Sequence, residues 1–191
     1  MPLSEKFEQA LIYATRLHST QVRKASDVPY VAHLLAVAAI ALEYGASEDE
    51  AIAALLHDAV EDQGGPATRE EIRRRFGDQV VAIVDGCTDA ETIPKPPWRP
   101  RKEAYLAHLQ LASPSVRLVC AADKLHNARS LLADYRLHGE ALWSRFSGGR
   151  EGTLWYYRAV VDTLLACGRT SLVAELDRTV RQLESLAALD A

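Results

Sequence analysis

An all-α fold is predicted by three observations. Apolar residues recur at three-and-four spacing through nearly the whole chain, residues that start and stop helices stand between those runs, and only one stretch has a composition that suits a strand equally well. Ser4 is placed to cap a first helix whose stripe runs through Phe7, Ala10, Leu11, Ala14 and His18. After a polar loop, Pro29 fits the first turn of a second helix that reaches Leu42 and stops at Gly45. Ser47 caps a third, Glu48 to about Asp62, which Gly64, Gly65 and Pro66 end. Thr68 starts a fourth toward Phe76. A fifth spans Asp78 to about Cys87, the stretch whose valines and isoleucine also suit a strand. Between Thr88 and Lys102 the order is lost: IPKPPWRPRK holds four prolines and four basic residues, as an exposed, partly extended loop would. Helical patterning resumes at about Arg101 to Leu111. Ser113 or Pro114 then opens a long apolar helix through Leu118, Ala122, Leu125 and Leu132. Two more helices run from about Glu151 to Cys167 and from Ser171 to Leu189, the latter packing through Leu172, Leu176, Val180, Leu183 and Leu186. The expectation is one domain over residues 1–191, a bundle of roughly eight to ten helices whose chemistry-bearing core covers about 4–135.

Composition bounds the function. The 191 residues are 48% apolar and 25% charged, the profile of an ordinary globular chain. Such a chain buries roughly 70% of its unfolded surface, so it needs neither disulfides nor a structural metal to hold a core. Its 22 basic and 26 acidic residues leave a net charge of −4, which argues against broad nucleic-acid binding. Cys87, Cys120 and Cys167 are odd in number, far apart in sequence and without CxxC spacing, which fits a reducing cytoplasm. The longest apolar stretch, Tyr30 to Leu42, contains His33 and falls short of the ~20 residues a membrane span needs. The N-terminal MPLSEKFEQ carries acids where a signal peptide has an apolar core. A soluble, cytoplasmic protein is expected, with no nucleic-acid or membrane partner.

The segment AAIAALLHDAVED concentrates the chemistry. On one continuous helix, His57 and Glu61 stand a turn apart, as do Asp58 and Asp62, so an imidazole and three carboxylates share two neighbouring rows. Three acids packed together repel, and a divalent cation is the simplest compensation. A helix end with solvated acids would read the same in isolation, so His33 and Asp123 matter. A buried imidazole such as His33 in VAHLLAVAAIAL needs only one hydrogen-bond partner. Asp123, in LVCAADKLHNARSL, is harder to accommodate: an ionised aspartate in a buried helix is costly unless paired or metal-bound, and Lys124 points about 100° away on a regular helix. A partner from another helix is implied. Together His33, His57, Asp58 and Asp123 offer two nitrogens and two oxygens, a set suited to Mn, Fe or Zn more than to all-oxygen Mg or Ca sites.

The order H…HD…D on successive buried helices resembles the HD superfamily of metal-dependent phosphohydrolases. His18 to Lys24, HSTQVRK, resembles the HxxQxRK element that opens the hydrolase domain of the RelA/SpoT alarmone enzymes and their stand-alone small relatives. PYVAH, LLHDAVED, FGDQVVAIVDGCT and ADKLHN follow in that family's order, so the resemblance covers about Phe7 to Leu132. It implies that His33, His57, Asp58 and Asp123 hold one Mn ion. It also implies that Glu61 and Asp62 form the acid pair at the reacting water, Glu61 taking its proton and Asp62 orienting that water or returning a proton to the leaving sugar oxygen. Arg23 and Lys24 match nucleotide-contacting positions: Arg23 can stack on a base, and either side chain can neutralise phosphate. Lys95, in ETIPKPP, resembles a pyrophosphate-contacting lysine, although Arg99, Arg101 and Lys102 can do the same work or merely solubilise the loop. Asn127, one turn after Asp123, and Ser130 near the same face can meet a ribose or base; in the family the Asn does so. His18 suits packing or support of the site. Arg150 resembles a late arginine that reaches the far phosphate.

Two departures bear on substrate: Cys120 stands where the RelA/SpoT enzymes often have Lys, and Thr88, Asp89 and Ala90 where they read Thr-Lys-Leu. The chain resembles the hydrolase-only form, which implies a Mn-dependent 3′-pyrophosphohydrolase of the guanosine alarmones ppGpp and pppGpp. The alternatives are the same site acting on an adenosine alarmone or the 2′-phosphate of NADPH, a non-catalytic alarmone sensor, and a structural helical module whose polar core residues pair only with each other.

Overall fold

The structure, a computed structural model, describes residues 2–23, 27–89, 94 and 96–189. Among these are ten α-helices and one 3₁₀ segment; the only β contact is an isolated antiparallel bridge between Val22 and Pro29. The all-α prediction therefore holds, and the differences lie at element boundaries. The first helix, α1 (Glu5–Leu17), is capped as expected, Ser4 Oγ accepting from the Lys6 amide at 3.2 Å. The second, α2 (Val31–Glu43), starts two residues after Pro29, because that proline is occupied by the bridge to Val22.

The predicted third helix is two. α3 (Glu48–Leu56) opens with a capping box, the Ser47 amide donating to Glu50 Oε2 at 2.7 Å and the Glu50 amide to Ser47 Oγ at 3.3 Å. It ends at His57, and α4 (Ala59–Asp62) follows after a break at His57 and Asp58. At that break the His57 imidazole Nδ1 bonds the Ala54 carbonyl at 2.8 Å, so a side chain takes an acceptor that the helix ladder would use. α5 (Pro66–Phe76) begins two residues before Thr68, with Pro66 in its first turn; Thr68 Oγ1 donates instead to the Gln63 carbonyl. Gly77, at φ 91°, turns the chain directly into α6 (Asp78–Cys87), the segment whose composition also suits a strand.

Helix α7 (Trp98–Leu111) begins inside the proline-rich segment, its Pro100 still within the first turn where no amide is needed. α8 (Pro114–His138) is capped by Ser113, whose Oγ accepts from the Val116 amide. A 3₁₀ segment over Gly139–Arg145, absent from the sequence reading, leads to α9 (Gly149–Cys167), and α10 (Ser171–Leu189) follows. None of the described helices is long and apolar enough to cross a membrane.

The core explains where the polar cluster can sit. After its acidic first turn, α3 is apolar on every side and Ala51 through Leu56 are fully buried, as expected of a helix surrounded by others. It packs against α1, α2, α6 and α8, while α8 also meets α2, α6, α9 and α10. A second apolar cluster, Leu131, Leu132, Tyr135, Leu142, Trp143, Leu183 and Ala187, joins the end of α8 to the 3₁₀ segment and α10. The closest packing is at Gly86 on α6: a Cβ there would lie 2.5 Å from Val116 Cγ2 on α8. Gly86→Ala should therefore cost about 1–3 kcal/mol in urea unfolding, and Val116→Ala in the same chain should recover part of the loss.

Candidate metal centre and cleft

Three helical junctions deliver the predicted ligands to one point. His33 comes from the first turn of α2, His57 and Asp58 from the α3/α4 break, and Asp123 from the middle of α8. His57 Nε2 lies 3.0 Å from Asp58 Oδ2 and 3.6 Å from Asp123 Oδ1; His33 Nε2 lies 3.2 Å from Asp123 Oδ1 and 3.7 Å from Asp58 Oδ2. The donor atoms of His33, His57 and Asp58 all fall within 4.8 Å of one another, and Asp123 joins them through both imidazoles. Donors about 2.0–2.2 Å from one cation stand about 2.9–3.6 Å from their neighbours, so these spacings suit a shared ion.

Each imidazole is oriented from behind. His57 Nδ1 donates to Ala54 O, which turns Nε2 toward the carboxylates. That Nε2 is buried and finds no hydrogen-bond partner among the described residues, although it stands 3.0 Å from Asp58 Oδ2. His33 Nδ1 faces His126 Nδ1 at 2.8 Å. Burial, with His33 and Arg23 alongside, lowers the His126 pKa to about 4, so its ring is neutral and can accept the His33 Nδ1 proton, leaving His33 Nε2 for the cluster. The orphaned His57 nitrogen and the converging oxygens fit a divalent cation.

The electrostatics show the same unmet demand. Burial pushes the Asp58 and Asp123 carboxyls up, yet both stand well below the usual carboxylate range, Asp58 through His57 and His33 and Asp123 through Lys124 and both imidazoles. Burial alone would lower His57, and the two carboxylates more than reverse that, so its pKa stands well above 6.5. Lys124 is likewise raised by Asp123 against the cost of its burial. Here the sequence expectation needs correcting: Lys124 does not point away but donates to Asp123 Oδ2 at 2.5 Å, its four-carbon stem folding back over its own turn. Partners from other helices are present as well, namely the two histidines.

The acid pair sits on α4. Glu61 Oε2 accepts from the Asp89 amide at 3.0 Å, and Asp62 Oδ2 accepts from Gln21 Nε2 at 2.8 Å. Gln21 Oε1 in turn meets the His18 Nδ1 and Gln63 Nε2, so His18, buried under Tyr30, supports Asp62 at one remove. Tyr30 donates to Asp58 Oδ2 at 2.5 Å.

A cleft of ≈ 220 Å³ is lined by Asp58, Glu61 and Asp123 together with Arg23, Lys102 and Lys124. It adjoins a larger cavity of ≈ 480 Å³ lined by Arg23, His33, His126, Asn127, Ser130 and Tyr157. Arg23 Nη2 donates to Asn127 Oδ1 at 2.8 Å, and Asn127 Nδ2 donates to Asp123 Oδ1 at 2.5 Å, so the nucleotide-contact candidates are strung directly onto a ligand. Arg150 is not brought to the cleft: it donates to the Ala187 carbonyl at 2.7 Å and pairs with Glu140, fixing α9 to α10 and the 3₁₀ segment. Lys24 and Lys95 lie outside the described residues. Tyr30 and His126 lie in the elements PYVAH and ADKLHN but carry no separate signal in the sequence; Asp89, one of the departures from the family pattern, has its carboxylate held by Arg101 and by Lys102 at 2.7 Å. Tyr156, whose buried hydroxyl has no partner, carries no sequence signal beyond an aromatic run.

With the geometry in place, comparison with known proteins is decisive on family. Residues 10–154 match the HD domain. The chain belongs to the HD domain family. This HD domain is 41% identical over 126 residues to the guanosine-3′,5′-bis(diphosphate) 3′-pyrophosphohydrolase MESH1 of Xenopus tropicalis, spanning 64% of this chain and 68% of that protein. Against the protein of the same name from Homo sapiens it is 38% identical over the same shares. The GTP pyrophosphokinase rsh of Brucella abortus is 39% identical over 126 residues, only 16% of its length. Among solved structures, a metazoan SpoT orthologue described as hydrolysing ppGpp superposes with a TM-score of 0.79 at 30% identity, covering 96% of this chain and 98% of that one.

Proposed function

We propose that this HD domain hydrolyses guanosine 3′,5′-bis(diphosphate) and its pentaphosphate at the 3′ position, releasing pyrophosphate and GDP or GTP, with Mn as the resident ion. The observation that carries the reading is the convergence of four donors from α2, the α3/α4 break and α8 beside a cleft lined by both carboxylates and cationic side chains. The activity for which these relatives are named supports the substrate class.

Such an ion would acidify water and withdraw charge from a phosphoryl oxygen. The chain's own groups do the rest. The larger cavity takes the nucleoside, with Arg23 held by Asn127 so that its guanidinium plane can cover a base. Lys102 and Lys124 neutralise the phosphates in the smaller cleft, and Arg23 reaches both spaces. Glu61 takes the proton of the attacking water as the bond between phosphorus and the 3′ oxygen breaks and returns it to that leaving oxygen, which departs as a hydroxyl, while Asp62, steadied by Gln21, orients the water. The three cysteines are free, in keeping with the cytoplasmic location we propose.

Pyrophosphate release from ppGpp in the presence of Mn tests this directly. Turnover should vanish on EDTA treatment and return with added Mn, and saturating Mn at about a hundred times its Kd should stabilise the fold by about 2.7 kcal/mol. Full turnover in EDTA, or tight binding of ppGpp without cleavage under every metal, would remove the hydrolase reading. Side-by-side initial rates on ppGpp, an adenosine alarmone and NADPH rank the substrates.

A further inference from the structure

Two of the three cysteines meet at the wall of the cleft. Cys87, the half-buried last residue of α6, lines it beside Asp58 and Asp123, and Cys120 is buried on α8. Their sulfurs stand 3.6 Å apart, and the Tyr105 hydroxyl donates to Cys120 Sγ at 3.0 Å. The approach is built into the backbone, since the contact of Gly86 with Val116 that joins α6 to α8 lies one residue before Cys87 and one turn before Cys120. Neither thiol has a part in the proposed hydrolysis.

We propose that Cys87 and Cys120 form an oxidative modification site, a dithiol that a hydroperoxide converts to a disulfide. The peroxide transfers one oxygen to the Cys87 sulfur, giving a sulfenic acid and releasing water. The Cys120 sulfur, held by Tyr105, then attacks that sulfur and expels a second water. Two thiols and one hydrogen peroxide thus become one disulfide and two waters, the peroxide being the oxidant. A sulfur–sulfur bond of about 2.05 Å requires the pair to close by about 1.5 Å from its present separation. That movement reaches the reacting groups. Cys87 is followed after one residue by Asp89, whose amide holds Glu61 and whose carboxylate is held by Arg101 and Lys102. Drawing the end of α6 toward α8 pulls on the Glu61 contact, so the disulfide form hydrolyses more slowly.

The site stands independently of the proposed substrate, and only its effect on turnover rests on the hydrolase reading. A Cys167→Ser protein is the parent, so that no third thiol can exchange. Treated with hydrogen peroxide while folded, it should lose about 2 Da, resist alkylation at Cys87 and Cys120, and yield their cross-linked peptide, all reversed by dithiothreitol. Adding Cys87→Ser or Cys120→Ser should abolish the mass loss. Turnover of ppGpp should fall about tenfold or more in the disulfide form and return on reduction. If both thiols still alkylate after treatment, or the mass shifts by added oxygen alone, the site is refuted. A disulfide that forms without changing turnover removes its effect on the reaction, and a reduced protein inert toward ppGpp instead counts against the hydrolase reading.

Discussion

Asp58→Ala should lower ppGpp turnover by about a thousandfold or more, equivalent to about 4 kcal/mol of transition-state stabilisation, and should strip bound Mn from the purified protein. Asp58 Oδ2 is shared by three groups: His57 Nε2 approaches to 3.0 Å, His33 Nε2 to 3.7 Å, and the Tyr30 hydroxyl donates at 2.5 Å. Removing it takes away one ligand and the anion that aligns the others. Folding suffers less than activity. Losing the acceptor for Tyr30 costs about 1–3 kcal/mol, but the repulsion between Asp58 and Asp123 goes with it. Asp58→Asn is the companion variant, since it keeps the shape and an oxygen for Tyr30 while losing the charge; it should melt close to the parent and still lose its Mn. Metal analysis and pyrophosphate release on both proteins check the prediction. An Asp58→Ala protein that keeps stoichiometric Mn and full turnover would show that Asp58 is not a ligand and that the reaction does not depend on it.

The reach of the sequence is best seen at particular residues. His33, His57, Asp58 and Asp123 were legible as candidates because each interrupts an otherwise apolar helical pattern, and burying an unpaired polar group is costly enough to need a reason. The helix boundaries set by a cap or a glycine, such as Ser4, Ser47, Ser113 and Gly45, could also be read because a local donor or backbone freedom fixes them. What could not be read depends on long-range geometry. The break at His57 follows from an imidazole reaching the Ala54 carbonyl, which periodicity does not register. The direction of Lys124 was misjudged because a Cβ vector says little about where a flexible stem ends. Arg150 shows the same limit in reverse: its place in the order suggested a phosphate, whereas the 3₁₀ segment and α10 claim it first.

Glu61→Gln and Asp62→Asn separate the two acids that sequence treated as a pair. Glu61 lines the cleft alongside Asp58 and Asp123, and its Oε2 accepts from the backbone amide of Asp89. Asp62 is engaged from behind by Gln21, within a network that continues to His18 and Gln63. A proton acceptor must face the reacting water, whereas a group already bound by side-chain amides serves better to orient it. Glu61→Gln preserves the size of the side chain and an oxygen for the Asp89 amide, so it should retain Mn and KM while kcat falls by about 10²–10⁴. Asp62→Asn puts a second amide against Gln21; it should lower kcat by about tenfold, and Gln21→Ala should produce a similar loss because it frees the same carboxylate. Steady-state kinetics with metal content measured on each protein decides the assignment. Equal losses at the two positions would mean that they share the proton, and a larger loss at Asp62 would exchange their roles.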